Sequence, residues 1–159
     1  MQNLANAPEP SDPLIAAFAA AEYRVDTGAT SLTVELGSPS PALDRLLDGR
    51  PWAIITAHNP DGRLQSKARN AAAHLQLDQC LGRVKAAVCL PACNRDRSGK
   101  WPDEPGWLFT PNSMADADRL ARRFGQRAIV TGGDGQRAEL RVYDTGSTSL
   151  PDFARAVRS

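Results

Sequence analysis

The residues with the clearest chemical capacity stand where apolar segments give way to turns. Trp52–Ala57 (WAIITA) is an apolar run of buried-strand length. Strand alternation puts Trp52, Ile54, Thr56 and His58 on one face, with Ile55, Ala57 and Asn59 on the other. The polar end, Thr56, His58 and Asn59, emerges at the strand's C-terminal tip, where folded sheets commonly present binding groups. The alternative is local: Asn59 makes an Asx-turn before Pro60 and the others satisfy nearby backbone. Further along, Arg63, Lys67, Asn70 and His74 share a helical face beside an apolar stripe, and Asn70 can donate and accept at once, which suits ligand contact and loop bracing alike. Glu104, followed by Pro105, stands at a strand entrance beside Trp101 and Trp107. Partial desolvation there would raise its pKa, as a proton-transfer group requires, whereas pairing with Arg95, Arg97 or Arg123 would make it a brace. Gln126 follows Arg122-Arg123-Phe124-Gly125 and is a candidate pocket amide, while helix capping accounts for the arginines and the glycine.

A second collection lies in Pro91–Asp103 (PACNRDRSGKWPD), which reads as a polar loop long enough to be functional or mobile. Its Arg95, Arg97, Lys100 and Trp101 would suit an anionic ligand or single-stranded nucleic acid; the alternative is a solvated loop with Trp101 folded back. His58, His74, Cys89 and Cys93 come near zinc spacing, but no second paired motif exists, so neither a metal nor a cofactor is expected. His74 reads as a boundary histidine, Cys80 as core, and Cys93 lacks a neighbour that would depress its pKa beyond scattered arginines. The Gly132-Gly133-Asp134-Gly135 turn is not followed by a phosphate-loop helix, and no G-x-S-x-G or H-E-x-x-H occurs.

The elements that must position these residues follow from periodicity and turn chemistry. Met1–Pro10 reads as a disordered tail and residues 11–159 as a single α+β domain. Pro13 opens a helix capped by Ser11 or Asp12, with Leu14, Ala17, Phe18 and Ala21 as its buried stripe. Tyr23–Asp26 and Ser31–Leu36 form a hairpin, and a short helix covers Ala42–Leu47. After the Trp52–Ala57 strand come a helix over Leu64–Gln79, burying Leu64, Ala68, Ala71, Ala72 and Leu75, and a strand over Val84–Leu90. A strand over Trp107–Thr110, a helix over Met114–Phe124 and a strand over Ala128–Thr131 follow. Glu139–Tyr143 adds a strand and Phe153–Val157 a short helix. The order β-α-β-β-α-β predicts a two-layer sandwich, mainly antiparallel with a ferredoxin-like core, extended by an N-terminal hairpin and a C-terminal strand.

Bulk composition narrows the function classes. The 159 residues include 19 basic and 18 acidic side chains, a formal charge of +1, which argues against a dedicated nucleic-acid binder or a polybasic membrane protein. No apolar run approaches the ~20 residues of a membrane span, and the first residues lack a signal-peptide pattern. Three cysteines without a pairing framework fit a reducing cytoplasm.

Four blocks carry a family resemblance: Thr56-Ala57-His58-Asn59-Pro60, Arg69-Asn70 with Leu75, Trp101-Pro102-Asp103-Glu104-Pro105, and Arg123-Phe124-Gly125-Gln126 with Ala128. From about Tyr23 to Val130 the chain resembles the bacterial domain of unknown function numbered 3293. The resemblance implies no catalytic roles; it implies that Thr56, Asn59, Pro60, Asn70, Glu104 and Gln126 match recurrent polar positions, that His58 stands where other residues are common, and that the protein is bacterial and cytoplasmic.

Thr56, Asn59, Asn70, Trp101, Glu104 and Gln126 are thus the expected ligand-binding set, with Glu104 the candidate catalytic residue. An amide-rich set without a nucleophile–base pair favours a binding or regulatory module for a small polar or anionic ligand or a protein partner. Two alternatives stand beside it: a hydrolase or transferase using Glu104 as acid/base with Thr56, Asn59 and Asn70, and nucleic-acid binding through the Arg95–Trp101 loop. The edge strands permit a monomer or a homodimer by sheet extension.

Overall fold

A computed structural model describes residues 12–143 apart from positions 85 and 87. The expected tail over 1–10 and the helix near 153–157 lie outside the described residues. The chain runs α1 (Pro13–Ala20), β1 (Glu22–Asp26), β2 (Ser31–Val34), α2 (Pro41–Leu46), β3 (Trp52–Thr56), α3 (Lys67–Arg83), β4 (Cys89–Arg95), β5 (Glu104–Phe109), α4 (Met114–Arg123), β6 (Ala128–Gly133) and β7 (Gln136–Val142). The seven strands form one sheet in the order β2-β1-β4-β5-β3-β6-β7, with every neighbouring pair antiparallel. The fold class is therefore α+β, as periodicity predicts, with the hairpin and the last strand at the two ends of the sheet.

The sheet curls into a half-barrel. Residues following β2 reach β7 at the far end: Gly37 N donates to Ala138 O at 2.8 Å and Ala138 N to Ser38 O at 2.9 Å. Curling encloses a second core. Tyr23, Val25, Val34, Trp52, Ile54, Leu108, Val130 and Ala138 fill the concave side with Leu43 and Leu47 from the α2 region. Ala53, Ile55, Phe109 and Ile129 pack on the other side against Leu77 and Leu81 of α3 and Ala117, Leu120 and Ala121 of α4, with Phe124 just beyond. All five residues of β3 are consequently buried, and the expected two-layer arrangement gives way to one in which both sheet faces are covered.

Four further expectations are corrected. Ser66, whose Oγ accepts from Arg69 N at 3.2 Å, starts α3 later than predicted. That helix buries Asn70, Leu77, Cys80 and Leu81, leaving Leu64 and Leu75 64% and 57% exposed. Leu77, Cys80 and Leu81 carry more apolar area on one stripe than the alanine-rich face does. Pro91 lies inside β4, not at the start of a loop; β1 pairs with β4 only from Ala92 onward, so the missing Pro91 N–H costs no bond to β1. The loop proper is therefore short, between Arg95 and Glu104, and β5 begins at Glu104 instead of Trp107.

The helix α1 forms as predicted, with Pro13 in its first turn and Asp12 Oδ1 accepting from Leu14 N at 2.9 Å. It buries none of its residues, however. It is tied to the sheet by its ends, through Arg127 Nη2 to Asp12 Oδ2 at 2.5 Å and Tyr23 Oη to Phe18 O at 2.6 Å.

Two substitutions on α3 separate the observed face from the predicted one. Leu77→Ala should lower unfolding free energy by about 2–5 kcal/mol in urea denaturation, whereas Leu75→Ala should change it by less than about 0.5 kcal/mol.

Candidate functional site

Asn59 is the point at which four segments meet. It follows β3 in a left-handed conformation (φ 50°, ψ 60°) that asparagine tolerates better than most residues. Its backbone N–H donates to Asn70 Oδ1 at 3.0 Å. Its side-chain Oδ1 accepts from Gln65 N at 2.9 Å and Asn70 Nδ2 at 3.0 Å, and its Nδ2 donates to Glu104 Oε2 at 2.7 Å. The partners lie six and more residues away, so the local Asx-turn is replaced by a junction between the end of β3, the turn before α3, α3 itself and β5.

Neighbouring groups complete the network. Thr56 Oγ1 donates to Pro105 O at 2.8 Å and accepts from His58 N at 3.1 Å, fixing the β3 tip to the start of β5. Gln126 Nε2 donates to His58 O at 3.1 Å and to Phe124 O at 3.2 Å. Gly125 makes this approach possible: at φ 65°, a Cβ there would stand 2.7 Å from Pro60 Cβ. Trp101 Nε1 donates to Glu104 Oε2 at 3.2 Å. The loop bearing Trp101 is shaped by Asp96, which accepts from Ser98 N at 3.0 Å and Trp101 N at 2.9 Å.

The six side chains expected from the sequence are thus gathered, in two roles. Asn59, Trp101, Glu104 and Gln126 line a cleft of about 490 Å³, while Thr56 and Asn70 brace it from behind. Arg95 and Lys100 also line it, and Arg97 does not. The opposite wall is apolar: Leu14, Ala17, Phe18 and Ala21 of the α1 segment, the stripe expected to be core. Sequence reasoning missed this wall, although a helix reading PLIAAFAA without a polar face signals a surface that wants cover. It also missed Asn94, Asp96 and Ser98.

Glu104 is 8% exposed, and among the described residues no arginine pairs with it; Arg95 instead faces Asp103 at 3.6 Å. Burial pushes its carboxyl above the ordinary glutamate range, against the opposing hydrogen bonds from Asn59 and Trp101. The imagined metal set does not assemble among the described residues. His58 meets the edge of His74 at 5.9 Å, and His74 stacks on Trp107 at 5.5 Å, none of the three lining the cleft. Burial, reinforced by His74, lowers the His58 pKa. Burial also raises the Cys93 thiol and pushes Cys89 up to about 11, so neither is an activated nucleophile. Among the described residues no helix is long and apolar enough to cross a membrane.

Replacing Asn59 with Ala should cost about 2–4 kcal/mol in chemical denaturation, since Asn70 and Glu104 both lose a buried partner. The raised Glu104 pKa sets a sign. A folded-state pKa above the unfolded one gives stability that is full at low pH and lost as pH rises through the folded value. Wild-type stability measured against Glu104→Gln should therefore decline as pH climbs above about 4.5, the ordinary value for the group. A difference independent of pH would show that the carboxyl is not perturbed by burial.

No curated protein and no solved structure matches the chain. Residues 55–129 match the family described as "protein of unknown function (DUF3293)". The match starts within β3 instead of near Tyr23, and spans the four motif blocks up to Ala128. The resemblance carried by those motifs is thereby shown over residues 55–129: the stretch that holds Thr56, Asn59, Asn70, Trp101, Glu104 and Gln126 is similar to the DUF3293 family.

Proposed function

We propose that this protein is a binding module whose cleft takes a small molecule with a polar head and an apolar body. The single observation carrying the reading is the composition of the cleft walls. A buried floor of Asn59, Glu104 and Gln126 faces the half-exposed apolar surface of Leu14 and Phe18 in a space of about 490 Å³. A cleft of that size, mostly apolar with a few convergent polar groups, is the usual form of a small-molecule site. The floor is preorganised, because each polar side chain is held by at least one protein hydrogen bond before any ligand arrives. We further read β3 to β6 as a ferredoxin-like unit extended at both ends, on the strength of its β-α-β-β-α-β order and the arrangement β4-β5-β3-β6.

One observation favours a second reading, proton transfer by Glu104: a carboxyl raised by burial within a cleft has the character of a general acid or base. Nucleic-acid binding through the Arg95–Trp101 loop gains less support. Asp103 faces Arg95 at 3.6 Å and offsets part of the loop's positive charge, and the whole chain carries a formal charge of only +1.

Thermal shift against phenyl-bearing fragments with a single amine, carboxylate or hydroxyl head tests the binding reading. At a hundred times its dissociation constant, a true ligand adds ~2.7 kcal/mol, or roughly 5–10 °C in Tm for a chain of this size. Ala17 is exposed on the cleft wall, so Ala17→Trp should occupy the space, leave the unliganded Tm within about 2 °C, and abolish the shift. A fragment series that shifts nothing, or a shift that survives Ala17→Trp, would refute the site.

A further inference from the structure

We infer that the head group recognised in this cleft is a positively charged hydrogen-bond donor, a primary ammonium or amidinium on an apolar body, and not an anion. The inference rests on the reading of the cleft as a ligand site and narrows it to one chemistry. The hydrogen-bond capacity left open on the floor decides the matter. Asn59 Oδ1 is occupied by Gln65 N and Asn70 Nδ2, and Asn59 Nδ2 gives one of its two N–H groups to Glu104. Gln126 uses its Nε2 on His58 O and Phe124 O. Glu104 receives both its hydrogen bonds, from Asn59 and Trp101, on Oε2.

Two atoms of the floor therefore accept no hydrogen bond among the described residues: Glu104 Oε1 and Gln126 Oε1. Neither is an enclosed, orphaned atom of the kind found at Trp52 or His74, and both residues line the cleft. Against these two acceptors stands one remaining N–H of Asn59 Nδ2, and one of the acceptors belongs to a carboxylate without a paired cation among the described residues. An anionic head placed there would meet like charge. A hydroxyl could donate once, whereas a primary ammonium donates three times and an amidinium carries its donors in a fixed fork. The two cations that line the cleft, Arg95 and Lys100, do not reverse this preference. Arg95 is already turned to Asp103 at 3.6 Å, and Lys100 is exposed, where solvent and salt screen its charge. The apolar body of such a ligand would lie along Leu14 and Phe18, beside the face of Trp101.

Three fragments that share one body and differ in the head separate the possibilities: phenethylamine, hydrocinnamate and phenethyl alcohol, titrated calorimetrically into the full chain and into Glu104→Gln and Ala17→Trp. Phenethylamine should bind wild type about tenfold or more tighter than either companion, and Glu104→Gln should remove at least that factor, the equivalent of one charge-assisted hydrogen bond. Its affinity should also fall as pH is lowered through the titration of Glu104, which supplies the same readout should Glu104→Gln fail to fold. Preference for hydrocinnamate or phenethyl alcohol, sensitive to Ala17→Trp, would leave the cleft as a binding site and overturn the head-group assignment. So would amine binding that is indifferent both to Glu104→Gln and to pH. Binding of none of the three would overturn the assignment and the cleft reading together.

Discussion

The left-handed backbone at Asn59 is the constraint from which the site is built. A non-glycine residue in that region is sterically disfavoured and persists where surrounding contacts over-determine it. Here the contacts are a donated backbone N–H and three hydrogen bonds of the side-chain amide, which together join the end of β3 to Gln65, Asn70 and Glu104. With Asn59 turned this way, the chain leaves the sheet at an angle that lets Pro60 pack on Gly125. Asp61 N then donates to Gly125 O at 2.8 Å, bringing Gln126 under the same floor. A turn in the ordinary right-handed region would aim the amide elsewhere and separate β5 from the start of α3.

The register of the sheet does the complementary part. Tyr23, Asn94 and Glu104 fall in one row across β1, β4 and β5, so the Glu104 carboxyl lies at the same end of the sheet as the tyrosine that anchors α1. The acidic floor and the apolar wall are thus parts of one construction: Tyr23 Oη holds Phe18 O on one side, while Asn59 and Trp101 hold Glu104 on the other. The anchoring of α1 by its ends instead of by a buried stripe leaves its apolar side facing the cleft, where a ligand's apolar body could cover it.

Polarity at this floor is directional. Amide groups offer donors and acceptors equally, and a site lined by amides has no built-in preference for the charge of what it binds. The preference arises because both amide N–H groups of Gln126 and one of the two on Asn59 are committed to protein acceptors, while the carboxylate of Glu104 keeps one oxygen open. What remains open on the floor is mostly oxygen, including one oxygen of a carboxylate that burial makes costly to ionise without a partner. An anion-binding site, expected from the arginines and lysine nearby, would need the opposite commitment.

Much of this was legible along the chain because it depends on local rules. The α+β class, the hairpins, the α4 stripe of Ala117, Leu120 and Ala121, and the gathering of Thr56, Asn59, Asn70, Glu104 and Gln126 follow from periodicity, turn chemistry and the family motifs. Pro91 inside a strand, the choice of Leu77 over Leu75 as the buried face of α3, and α1 as a wall instead of core were not legible. Each depends on which other segment lies opposite: Pro91 on where β1 stops pairing, Leu77 on which helical stripe meets the sheet, α1 on anchors at Arg127 and Tyr23. The partner of Glu104 belongs with them. Its neighbours in sequence include several arginines, yet its bonds go to Asn59 and Trp101, because hydrogen-bond reach is a few ångströms in space and only the assembled sheet determines who stands within it.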